Sequence, residues 1–89
     1  MNKFKIEGES FDEFEIEFIE PSYQSRKRLS VYINKLRTPK YTDEFGHLFY
    51  CFDIAKEITG LSDNQLNEYS DEKIIAISLK AIDYLAKKK

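Results

Sequence analysis

Phe4 and Ile6 alternate with Lys3, Lys5 and Glu7, and Phe14, Ile16 and Phe18 alternate with Glu13, Glu15 and Glu17. A period of two marks strands with one buried and one wet face. Gly8 and Asp12 stand in the gap between the two runs. The pattern therefore predicts an antiparallel hairpin over about residues 2–19, closed by a longer loop. Lys3 and Lys5 fall on the wet face near Glu15 and Glu17, where cross-strand pairs of opposite charge are worth about 0.2–1 kcal/mol each. A lone hairpin is only marginally stable, so its Phe/Ile face must pack on the rest of the chain.

After Glu20 the period changes. Pro21 and Ser22 suit a helix start, and Leu29, Tyr32, Ile33 and Leu36 recur at helical spacing. Thr38-Pro39 closes this first helix, about 22–37, because a residue before proline avoids helical geometry. A second helix, about 43–59, begins near Thr42-Asp43 and ends at Gly60, with Leu61 placed to fold back on its last turn. Ser62 and Gln65 form a capping-box pattern for a short helix, about 62–69. Ser70 caps a final helix, about 71–87, with Asp71 and Glu72 in its first turn and Lys87, Lys88 and Lys89 at its end. Both charge placements suit the helix dipole. The expectation is one α+β domain over residues 1–89: an N-terminal antiparallel β-hairpin packed on a bundle of three longer helices and one short helix.

The two longest helices are unusually apolar around their circumference. On the second, Phe45, Leu48, Phe49, Phe52 and Ala55 make one face, and His47, Cys51, Ile54 and Ile58 adjoin it. Together they span roughly 220° at 100° per residue, against about 100° for an ordinary surface helix. The last helix leaves only Lys73, Lys80, Asp83 and Lys87 on its wet side. In so short a chain, either the hairpin and first helix cover these arcs or a partner does. The arc places the expected partner-binding surface on Phe45, Phe49, Phe52, Cys51, Ile54 and Ile58.

Composition narrows the class. The 89 residues are 42% apolar and 34% charged, enough for one compact core under a charged surface. A net charge of −2 argues against a dedicated nucleic-acid binder or a polybasic membrane anchor. No apolar run approaches the roughly 20 residues of a membrane span, and the N-terminus lacks the apolar core of a signal peptide. The single cysteine points to a reducing compartment, the cytoplasm.

Candidate chemistry is sparse. Asp43, His47 and Cys51 lie four apart on one helix face, the row an orienter, a base and a thiol nucleophile would need. No glycine-rich turn flanks Cys51 to supply an oxyanion site, so a core cysteine beside a rim histidine is the favoured reading. Asp43 and His47 offer only two metal ligands, and the alternating Glu13, Glu15, Glu17 and Glu20 read as a solvated face. No enzyme activity, cofactor or metal is expected. Residues 24–40 carry six bases and no acid, with Tyr23, Tyr32 and Tyr41 interleaved. Arg26, Lys27, Arg28 and Arg37 are thus candidate contacts for an anionic partner. However, Arg26 and Arg37 flank one edge of the apolar stripe while Arg28 flanks the other. That spread suits stems lying over a core rim better than a groove reader, and acidic neighbours are plentiful. Residues 1–20 hold seven acids against two lysines.

The acidic hairpin KFKIEGESFDEFEIEFIEPS, the aromatic helix in FGHLFYCFDIAKEITG, the connection TGLSDNQLNEYSDEKI and the terminal apolar helix follow in an order that resembles small tail assembly chaperones of tailed phages. The resemblance covers most of the chain as a pattern of elements. It implies a non-enzymatic, cytoplasmic helper that binds an elongated, helical tape-measure protein and self-associates, with no catalytic residue to carry over. The mechanism it implies is shielding, in which an apolar groove covers a partner's helical stripe until assembly. The rival expectations are a small phage-type inhibitor or accessory protein on a larger enzyme, and a nucleic-acid-associated protein using the basic first helix.

Overall fold

The computed structural model describes residues 2–38 and 44–87, with side chains from Gly46 onward in the second stretch. Two strands, β1 (Asn2–Gly8) and β2 (Phe11–Phe18), precede helices α1 (Tyr23–Arg37), α2 (Glu44–Thr59), α3 (Asp63–Leu66) and α4 (Asp71–Lys87). This is the expected α+β architecture. The strands pair antiparallel with Lys3 opposite Glu17, Phe4 opposite Ile16 and Lys5 opposite Glu15. The loop is tighter than expected, because β1 continues through Gly8 and only Glu9 and Ser10 separate the strands. A register irregularity between Ile6 and Gly8 accommodates the turn. There the Phe11 ring lies where a Cβ on residue 8 would stand. On the wet face, Lys5 pairs diagonally with Glu13 at 3.6 Å, an exposed contact of small energetic weight.

The helix ends follow their local chemistry. The Ser25 amide donates to Ser22 Oγ at 3.1 Å to cap α1. Thr38, extended at φ −99° and ψ 112°, closes it. The expected start of α2 near Thr42-Asp43 lies outside the described residues. Its end is a left-handed Gly60 at φ 73°, whose amide donates to Lys56 O at 3.0 Å. The last turn of α2 also gives Ile58 O to the Ile19 amide at 2.9 Å, so a helix-end carbonyl anchors the exit of β2. The Ser62–Gln65 capping box forms with both bonds present. The helix it starts is shorter than expected, stopping at Leu66. Residues 67–69 form a tight turn whose amides reach carbonyls three or four residues back.

α2 lies at the centre. α1 and α4 both pack along it, and the hairpin lies across α4 and the near side of α2. Ile6, Ile16 and Phe18 from the sheet meet Ile74, Ile77 and Ala81 from α4 around α2. Three aromatic rings tie the sheet to the end of α4, with Phe4 and Phe18 centroids 4.8 Å apart and 5.2 and 5.7 Å from that of Tyr84. At the turn end of the hairpin Phe14 stacks near Phe11 and Tyr69, and Lys73 Nζ sits 5.3 Å from the Phe14 ring centre.

Candidate functional site

The wide apolar arc of α2 resolves into a core face and a surface face. Cys51, Ile54, Ala55 and Ile58 are wholly buried, at 0% exposure. This corrects the expectation for Cys51, Ile54 and Ile58. They cannot reach a partner, because α1, α4 and the hairpin close on the face that carries them. Phe52 is half-buried and packed against the core, and Phe49 is 61% exposed. Phe45 lies outside the residues whose side chains are described. On a helical wheel, Phe49 sits roughly 160° from Cys51, which places it on the solvent side of α2. It borders a shallow groove of about 340 Å³ walled by Leu48, Phe52, Tyr69 and Ile74.

The four candidate basic contacts do not form one surface. Arg28 is held by Glu57 of α2, with Nη2 at 2.6 Å and Nε donating at 2.8 Å to the same carboxylate oxygen. That hydrogen bond raises the Arg28 pKa and holds the Glu57 carboxyl below its usual range. Lys27 is exposed on the outer face of α1. Arg26 and Arg37 stand together on the opposite edge of α1, lining a groove of about 360 Å³ between α1 and the end of α4. Its floor is apolar, formed by Leu29, Ile33, Ile82 and Leu85, and Glu20 closes one end. Periodicity places the two arginines on a shared edge, but nothing local to α1 shows that α4 stands off and leaves a groove there.

Cys51 Sγ lies 3.9 Å from His47 Nδ1, so the helical spacing does bring these side chains together. Asp43 lies outside the described residues. The thiol is inaccessible, and burial pushes its pKa up, opposed by a hydrogen bond with Ser78. A nucleophilic thiolate requires the reverse, a lowered pKa and access to substrate. Burial also raises the Asp53 carboxyl pKa, against the pull of Lys56. Lys56 pairs with Asp63 at 2.8 Å, linking α2 to α3. Among the described residues no three His, Cys, Asp or Glu side chains are grouped to hold a metal ion, and no helix is long and apolar enough to cross a membrane.

Comparison of the chain with protein-family models, with curated proteins and with solved structures gives no significant match.

Proposed function

We propose that the protein is a non-enzymatic binding helper that shields an apolar helical segment of a partner during assembly, in the manner of a phage tail assembly chaperone in the cytoplasm of a bacterial host. The observation that carries this reading is the exposure of Phe49 on a helix whose opposite sector, Cys51, Ile54 and Ile58, is enclosed. A phenylalanine held 61% exposed beside the half-buried Leu48 and Phe52 offers an aromatic anchor with an adjoining groove. Large aromatic anchors of this kind dominate binding energy when a partner desolvates them. An amphipathic helix laid in that groove meets it with residues spaced three or four apart.

The test is a photo-crosslinking amino acid placed at position 49 in the intact chain in its native host, with the exposed position 27 on the outer face of α1 as control. The expected result is a single protein partner crosslinked from 49 and absent from 27, through a segment with helical apolar periodicity. Equal, nonspecific labelling from both positions refutes the reading. A crosslink to the surface of a folded enzyme supports the accessory-inhibitor alternative in its place.

A further inference from the structure

We propose that the groove between α1 and α4 receives α4 of a second copy of this chain, giving a symmetric dimer. The groove has an apolar floor and a basic wall. Arg26 and Arg37, eleven residues apart, differ by only about 20° around α1 and lie about 16 Å apart along it. Both line the groove, and neither makes an ion pair among the described residues. An occupant that fits must present an apolar stripe flanked by two carboxylates at the same interval.

The outer face of α4 has that pattern. Glu72 and Asp83 are also eleven residues apart, so they repeat the 20° and roughly 16 Å offset of the arginines. Leu79, 58% exposed, lies between them on the same side of the helix. The half-buried Ile75 and Ile82 continue the stripe within about 60° of Leu79. Among the described residues Asp83 pairs with its exposed neighbour Lys87 at 3.2 Å, a contact readily exchanged. Because α4 is both a wall of the groove and its occupant, each copy receives what it gives. The interface is therefore isologous and closes at two chains, with the two α4 helices side by side between the two α1 helices. A nucleic acid fits the groove less well. Its floor is aliphatic, its wall carries only two cations, and the Glu20 carboxylate at its end opposes phosphate. This surface is separate from Phe49, so it stands or falls independently of the helper reading.

Sedimentation of the full chain over a concentration series tests the proposal by charge exchange. The wild type is expected to dimerise by about 100 μM, and Arg26→Glu with Arg37→Glu to weaken association about tenfold or more. Glu72→Lys with Asp83→Lys is expected to do the same. All four side chains are exposed, so both variants retain the wild-type circular dichroism. Mixing the two variants restores a dimer, since each groove then faces a stripe of opposite charge. A wild type that stays monomeric, variants that associate as the wild type does, or a mixture that stays monomeric overturns the proposal. So does salt-sensitive binding of a DNA or RNA oligomer by a monomeric wild type that the double arginine variant loses.

Discussion

Asn2 Nδ2 donates a hydrogen bond to Tyr84 Oη at 2.8 Å, joining residues 82 positions apart. Tyr84 in turn donates to Glu20 Oε2 at 3.3 Å, so one hydroxyl links the start of β1, the chain leaving β2 and the end of α4. Its ring packs edge-on against Phe4 and Phe18. Tyr84→Phe keeps the ring and removes the hydroxyl, and is expected to cost about 1 kcal/mol in urea denaturation. Tyr84→Ala also opens a cavity under the hairpin and is expected to cost about 3 kcal/mol or more. Equal losses for the two variants would mean that the ring contributes little.

Phe49 and Ile58 share one helix and contrast in role. Phe49→Ser leaves the core intact, so its stability is expected to stay within about 0.5 kcal/mol of wild type. Ile58→Ala removes a fully buried side chain and is expected to cost about 2–5 kcal/mol. Thermal or denaturant unfolding of the two variants measures this directly. A large loss for Phe49→Ser would make that ring part of the fold.

The Cys51 thiol is enclosed, and its pKa is raised by burial. Labelling of the native protein by an aromatic disulfide reagent at neutral pH is therefore expected to run at least about a hundredfold slower than for a free thiol. The rate should rise with denaturant as local opening exposes the sulfur. Fast, denaturant-independent labelling would contradict the enclosed position.

Glu57 makes stability depend on acid. Its hydrogen bond from Arg28 holds the folded pKa below the ordinary value of 4.5, so the unfolded chain binds the proton more readily. The stabilisation is fully present above that ordinary value and is lost as pH falls through the lower, folded one. Glu57→Gln is expected to be less stable than wild type at pH 7, with the gap closing in this acid window. Asp53 acts in the opposite sense. Its raised folded pKa favours the protonated form, so its contribution is greatest in acid and declines as pH rises through the folded value. Denaturant midpoints measured from pH 7 downward for wild type and Glu57→Gln check the sign. A gap that persists unchanged in acid would remove Glu57 from the account.

Much of the fold was legible because it rests on neighbours in sequence. Alternation of Phe and Ile with Lys and Glu marks strands wherever one face is to be buried. Ser22, Gly60 and the Ser62–Gln65 pair set helix ends through bonds that span only three or four residues. The turn ends were less legible. Nothing before Phe11 announces that its ring will lie against Gly8, or that only two residues will separate the strands.

The candidate surfaces divide along the same line. The sequence by itself determined that α2 and α4 carry wide apolar arcs, and that the first helix concentrates positive charge. Those properties belong to the residues and their 100° spacing. Only the tertiary structure decided which part of each arc became interior. On α2, the Cys51, Ile54 and Ile58 sector is enclosed by elements distant in sequence, while Phe49 is left outside. Arg28 and Arg37 are both arginines on one helix. Packing gives the first to Glu57 and leaves the second lining the α1–α4 groove. Burial is a property of pairs of surfaces, so a helix wheel can show the width of an apolar arc but not the partner that covers it.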